Sequence, residues 1–446
     1  MLAKVFKKKL GISPLLAAAN LVLVASSFAW YYLAFAVLQN LMDILKTTTS
    51  ETLAVMGINV GAIAVTAVIG SFMGERTQKR ESILLAWMFG GIFVSLIPFL
   101  FVPSTFGELA IISIIFGAYF GLGMPPTMGY FAASTTPENR ARLGGIAYLA
   151  IALSIFLLGS LAGENVASSG IVLATIRLTG LLLFNWTRRR NTPLQHAGRS
   201  SYFRIITSKS VLLFLIPWLV FNLVDYMTIP AVELTQGTEY LRSVTLYEAV
   251  FIAIFSLVAG FLADSLGRKR LAILGFALLG GGYAAVSFSP STYGWYVYTV
   301  ADGFAWGIFN VLFLFTVWGD LAQEQHGEKL YVVGSLPFLF SNFMRLLFGP
   351  FVSSIAPVAL FSLASFFLFI AVLPLVYAPE TLPEKIMKDR DLKSYVEKAM
   401  KKMQSETEKK RSDVREKSEN CVEFTVKTEE ETDEYEAAQK LAEKYY

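Results

Sequence analysis

Apolar runs long enough to be membrane-crossing helices recur twelve times along the chain. They lie at about 15–42, 52–73, 82–103, 108–133, 143–163, 169–186, 210–232, 243–263, 271–289, 293–318, 331–355 and 357–378. Each is near or above the roughly 17–25 residues a helix needs to cross hydrocarbon. No run alternates with the period of two expected of a barrel strand, and lipid offers nothing to an unpaired backbone group, so each predicts a helix. The first follows "KVFKKK" but is much too long for a signal peptide. The longest polar connection, about 187–209, divides the helices six and six. The expected organisation is a six-helix half over 10–186, a linker over 187–209, a second half over 210–380 and a charged tail over 381–446.

Composition makes the bilayer reading firmer. The chain is 54% hydrophobic and 16% charged over 446 residues, with mean hydropathy +0.54, against roughly 25% charged in soluble domains. Of the 72 charged residues, 32 lie from Glu384 onward, so the rest of the chain is more apolar still. Cys421 is the lone cysteine, and His196 and His326 are the only histidines. Neither a disulfide framework nor a metal or haem centre is expected, and no cofactor is implied. Odd-numbered connections contain only Lys46 and Arg242, whereas even-numbered ones hold "ERTQKR", "ENRAR", the arginine-rich linker and "GRKR". Positive charge stays cytoplasmic, which places both termini inside, in a multi-pass protein of the plasma membrane. These basic blocks flank apolar runs, so the net charge of +4 does not indicate a nucleic-acid partner. In the tail, 12 basic and 7 acidic residues fall between Lys385 and Lys417, with Leu392, Tyr395, Val396, Ala399, Met400 and Met403 on one helical face. That part fits an anionic leaflet or a solvated tail equally well, and the acidic remainder reads as disordered.

Two polar interruptions share one setting. "GSFMGERTQKR" (Gly70–Arg80) separates the second and third runs, and "GFLADSLGRKR" (Gly260–Arg270) the eighth and ninth. The halves echo each other elsewhere too: "GAYFGLG" (117–123) matches "GFAWGIF" (303–309), each with Gly-x-x-x-Gly. Asp264 falls at the C-terminal end of its helix, where the helix dipole repels a carboxylate, so it needs donors from an arginine or a neighbouring helix start. Gly260 permits close helix approach and Gly267 a tight turn. Arg268, Lys269 and Arg270 hold the loop on its side and can meet lipid phosphates. In the first copy Gly74 occupies the aspartate position, followed by Glu75 and Arg76, with Thr77-Gln78 in place of the turn glycine and Arg80 at the end. The expected conformational latch thus comprises Gly70, Glu75, Arg76 and Arg80 with Gly260, Asp264, Gly267, Arg268, Lys269 and Arg270. The alternative is that both loops serve only topology.

"GFLADSLGRKR" resembles the loop signature of the major facilitator superfamily. "GAYFGLGMPPTMGYFAASTTPENRARLGG" is similar to that family's fourth helix and following loop, and "PETLP" to the end of its last span. The resemblance covers residues 10–383. It implies an all-α polytopic fold of twelve transmembrane helices in two pseudo-symmetric six-helix halves. Spans one, four, seven and ten would line a central cavity with the eleventh beside it, in a monomer working by alternating access. Two hallmarks of the family's proton-coupled drug exporters are absent: Ser113 stands where they carry an arginine, and Gly163 is followed by Glu164 where they carry Gly-Pro.

Ionisable residues deep in a span are costly and usually face a wet interior. Asn222, Asp225 and Tyr226 share a face of the seventh run, and Asp302, Trp306 and Asn310 a face of the tenth, with Arg345 mid-way in the eleventh. A carboxylate there could bind a substrate cation or carry a proton. Arg345 could pair with one aspartate, either freeing the other to titrate or forming a purely structural pair. In the first half Asn20, Ser27 and Tyr31 share a face, and Tyr119, Thr127 and Tyr130 flank a helix break expected at Pro125-Pro126. Ordinary packing is the alternative for the tyrosines. Arg177 is expected to reach toward Glu164.

These features point to a secondary transporter of a small molecule, with protons as the candidate coupling ion. No Gly-x-x-x-x-Gly-Lys-Ser/Thr stretch supports ATP-driven transport, and nothing supports an enzyme. A non-transporting sensor or lipid scramblase on the same scaffold is the alternative, motivated by the long tail and the altered first motif.

Overall fold

A computed structural model describes residues 11–76, 80–162, 165–188, 201–322 and 327–382, with 388, 392, 395–396, 399–405 and 439 of the tail. Side chains at 75–76, 159–162, 238–247 and 342 are outside the description. The Glu75 and Arg76 side chains, Glu164, His196, His326, Cys421 and the arginine-rich part of the linker therefore lie outside the described residues. The chain forms two compact units, Met1–Leu382 and Pro383–Tyr446. In the second, residues 399–405 are helical, and Leu392, Tyr395 and Met403 are exposed.

The first unit is helical among its described residues. Six spans precede the linker: α1 (Pro14–Leu45), α2 (Thr49–Arg76), α3 (Arg80–Ser95), α4 (Phe106–Ser134), α5 (Arg140–Ala162) and α6 (Val166–Thr187). Six follow it: α7 (Lys209–Gln236), α8 (Thr238–Leu266), α9 (Arg268–Phe288), α10 (Thr292–Phe309, continued to Leu321), α11 (Gly327–Val352) and α12 (Pro357–Tyr377). All twelve are long and apolar enough to cross a membrane.

Local chemistry sets the ends. Ser13 caps α1 by accepting from Leu16 N with Pro14 in the first turn, and Lys46 closes it in the left-handed conformation at φ 53°. Thr105 and Glu108 form a reciprocal capping box on α4. The third apolar run, expected to reach 103, breaks at Leu96 ahead of Pro98, and only one turn, Ile97–Leu100, follows.

The expected break at Pro125-Pro126 does not occur. α4 runs unbroken through both prolines. Lacking N–H groups, they leave the carbonyls of Gly121 and Leu122 without helical donors. The Leu122 carbonyl lies against Gly70 of α2, where any Cβ would collide with it. Gly117 makes room for the Asn59 carbonyl, which a Cβ would approach to 2.6 Å, and Gly121 for the Ile63 carbonyl. The second half repeats the device: Gly303 and Gly307 of α10 face Phe251 and Phe255 of α8, with Cβ clearances of only 2.7 and 2.8 Å. The matched Gly-x-x-x-Gly pairs are thus the seams of α2 on α4 and of α8 on α10, as expected where spans associate through close backbone approach.

Candidate functional site

On the face bearing the basic loops, ion pairs cross between the halves. Asp320, fully buried at the end of α10, accepts from Arg140 at the start of α5 and from Arg268 Nε at 3.1 Å. Asp264 pairs with Arg142 of α5 and, at 3.3 Å, with Arg268. Arg268 also donates to the Ala263 carbonyl at 3.0 Å and to the Pro137 carbonyl. Being wholly buried, it does not meet lipid phosphates as expected; Arg270 is the exposed member of the triplet. Gly260 seats α8 against the Ala141 carbonyl, and Gly267 turns at φ 91°.

The first motif is completed from the other half. Arg80 pairs with Glu328 of α11, whose side chain lies against Gly74, so that a Cβ there would approach it to 3.0 Å. The acid absent at Gly74 is therefore supplied across the interface. Beside it Lys329 stacks over Phe72 at 4.8 Å, and Tyr202 of the short linker helix Tyr202–Ile206 bonds Ser71 at 2.6 Å.

"PETLP" also has a mechanical part. Glu380 accepts from Arg268 N (2.8 Å) and Lys269 N (3.2 Å), capping α9, while Thr381 bonds Asp320 at 3.2 Å. Glu380→Ala is expected to remove about 1 kcal/mol of stability, read as a lower Tm in detergent; Glu380→Gln, which keeps one acceptor oxygen, should lose less.

At mid-depth in the second half, three carboxyls converge. Asp225 and Glu248 each lie within hydrogen-bonding reach of Asp302, on α7, α8 and α10. Each sits ten or eleven residues from the end of its helix opposite the basic face, about 15 Å along the axis. Tyr283 Oη donates to Asp225 at 3.3 Å and bonds Thr228 at 2.7 Å; Trp306 Nε1 donates to Asp225 at 3.2 Å. Asp302 Oδ1 has no other partner among the described residues. Trp306, Tyr226 and Phe338 pack edge-to-face beside the cluster. Arg345 forms no ion pair with either aspartate; it is half-buried, near Tyr226. Nearer the basic face, by one turn for Asn222 and about two for Asn310, Asn222 Oδ1 and both amide atoms of Asn310 are buried without hydrogen-bond partners among the described residues. Asn310 opens a π-helical turn, Asn310–Thr316, a widening often found at functional positions.

The first-half candidates do not form one site. Asn20 bonds the Leu16 carbonyl and Ser134 Oγ, both at 2.8 Å, which ties α1 to α4. Tyr31 stacks on Phe120 at 4.2 Å, whereas Tyr130 is buried against Phe184. Arg177 does not reach outward. It is fully buried, with its guanidinium 4.5 Å from the Trp87 ring and 5.1 Å from those of Trp30 and Tyr119. An arginine at the centre of a span costs roughly 2.5–3.5 kcal/mol by insertion scales, and each ring returns about 0.5–2 kcal/mol. The cage therefore offsets the burial of the charge.

The sequence reading passed over Glu248, although a glutamate inside an apolar run is the same signal that singled out Asp225. It also missed Arg140, Arg142, Asp320, Glu328 and Glu380, which stand at span ends where charge is ordinary.

A sequence model of the Major Facilitator Superfamily matches residues 19–314. No curated protein matches the chain by sequence. Among solved structures, the human organic anion transporter MFSD10 (TETRAN) is similar with TM-score 0.59 and 12% identity, over 81% of this chain and 97% of that one. The proton:xylose symporter XylE, bound to 6-bromo-6-deoxy-D-glucose, gives TM-score 0.60 and 15% identity, over 82% of this chain and 96% of that one. At these identities the likeness is one of fold.

Proposed function

The chain belongs to the Major Facilitator Superfamily and is a multi-pass membrane transporter, and on that footing we propose that it moves a small solute by alternating access, coupled to protons held among Asp225, Glu248 and Asp302. The reading rests on the meeting of those three carboxyls from three spans. Like charges at hydrogen-bonding distance in a low-dielectric site cannot all ionise, so the group shares protons and releases them when its members separate. Trp306 donates to Asp225 and packs on Tyr226, so a solute that met these rings would be coupled to the protonation of the cluster. The crossing ion pairs close the basic face, which we take as cytoplasmic in the plasma membrane, so this conformation faces outward. The working unit is a monomer.

Glu328 facing Gly74 accounts for the altered first motif, which removes one motive for a sensor or scramblase. The experiment is uptake of a labelled solute panel into proteoliposomes, with and without a pH gradient. One proton per solute over one pH unit supports about tenfold accumulation. Asp225→Asn, Glu248→Gln and Asp302→Asn are each expected to lose accumulation and keep counterflow exchange. Undiminished accumulation in all three would remove the coupling site. Lipid transfer with no solute flux would replace the transport reading with the scramblase one.

A further inference from the structure

Arg177 has no assigned part in this scheme, yet its surroundings are built with care. Gly123 makes room for the Trp87 ring and Gly91 for the Tyr119 hydroxyl; a Cβ at either position would collide with them. Trp87 stacks on Tyr119 with ring centroids 5.0 Å apart, and Trp30 meets Tyr119 edge-on at 4.6 Å. Both indole N–H groups are engaged elsewhere, Trp87 with the Tyr119 carbonyl and Trp30 with Ser95 Oγ. The rings thus present only their faces to the guanidinium.

Nη1 donates to Ser27 Oγ at 3.4 Å. The Tyr119 hydroxyl stands within hydrogen-bonding reach of the guanidinium, but neither it nor Nε and Nη2 completes an aligned hydrogen bond among the described residues. No carboxylate among them lies within ion-pair distance of Arg177 either. Nε and Nη2 form the side-on fork of arginine, two parallel donors spaced for the two oxygens of one carboxylate. Trp30 is shared between this cage and a narrow, partly open cleft also lined by Tyr31, Phe35, Asn59 and Phe116, which in this conformation has room for little more than a water molecule. The cleft walls are mainly aromatic, and the Asn59 amide N–H is engaged by the Ser113 carbonyl. That lining suits an apolar body rather than a sugar or a phosphate.

We propose that the transported solute is an organic carboxylate, its apolar body in this cleft and its carboxylate received by Nε and Nη2 of Arg177 with Tyr119 Oη as third donor. Arg177 is wholly buried and the cleft is too narrow for a solute body in this conformation, so Trp30 must swing aside to open both. The inference rests on the transport reading and deepens it: an anion met in one half and a proton carried in the other would cross together with no net charge.

The test uses the full-length protein in detergent, following tryptophan fluorescence during titration with benzoate, hexanoate and succinate against chloride at matched ionic strength. Benzoate or hexanoate is expected to give a saturable change. Arg177→Gln should weaken it at least tenfold, Arg177→Lys nearly as much because the fork is lost, and Tyr119→Phe a few fold. Should Arg177→Gln fail to fold, the lysine and phenylalanine variants carry the comparison. No saturable response to any of the three acids, or one that Arg177→Lys and Tyr119→Phe leave unchanged, overturns the assignment. Labelled uptake in proteoliposomes separates the two readings. Gradient-driven flux of a neutral solute without carboxylate binding removes the Arg177 site and leaves transport standing. Carboxylate binding that depends on Arg177 with no flux of any solute supports the site and removes transport.

Discussion

Asp320→Asn is expected to open the face carrying the basic loops. Asp320 is the common acceptor of Arg140 and Arg268, and its side chain and that of Arg268 are wholly inaccessible to solvent. Removing one member of a buried ionic group leaves the others charged and unpaired, which costs about 3–5 kcal/mol. Both arginines regain water only if the halves part there, so the loss falls on this conformation rather than on the fold of each half. A thiol at Ser256, buried where α8 meets Gly145 of α5, reports the parting. In a Cys421→Ser background, maleimide labelling of Ser256→Cys should rise at least tenfold with Asp320→Asn. Asp264→Asn should do less, because its partner Arg142 is 19% exposed and can turn to solvent. Unchanged labelling together with a lowered Tm would make the group structural and not a latch.

The ion pairs between the halves also mark where sequence reading stops. The bilayer imposes length and hydropathy on each span, so all twelve were legible from composition and period. The duplicated glycines and the acidic–basic interruptions were legible for a similar reason, since tight turns and close backbone approach admit few residue types. Partnership across the halves was not legible. Arg140 and Asp320 are far apart in the chain, and a charge at a span end looks alike whether it anchors topology or pairs with another helix. Gly74 reads as a lost acid until Glu328 is seen against it. Arg177 shows its depth in sequence but not its surroundings, because Trp30, Trp87 and Tyr119 come from three other spans. The unbroken α4 follows the same rule. Two adjacent prolines suggest a break locally, but Gly70 on the α2 seam makes room for the Leu122 carbonyl, one of the two they free.

That seam gives the second large expected effect. Gly121→Val would drive a branched side chain into Thr66 Oγ1 and the Ile63 carbonyl of α2. Overpacking a close-packed interface costs roughly 1–3 kcal/mol when side chains can adjust. Here one obstacle is backbone, so relief requires α2 and α4 to separate along the contact that also holds Gly70 and Gly117. Little folded protein is expected on size-exclusion chromatography in detergent, and Gly307→Val should behave similarly, since its Cβ would meet Phe255 Cβ at 2.8 Å and Ser256 N at 2.9 Å. Gly281→Val, at a helical glycine with nothing within 4 Å, is the control and should remain folded. The comparison bears on mechanism as well as stability. Alternating access by rocking needs each half to move as a body, and the two seams bind α2 to α4 and α8 to α10 within their own halves. If Gly121→Val and Gly281→Val melt together, close approach along the seam is not what holds those helices, and a rigid half is no longer the moving part.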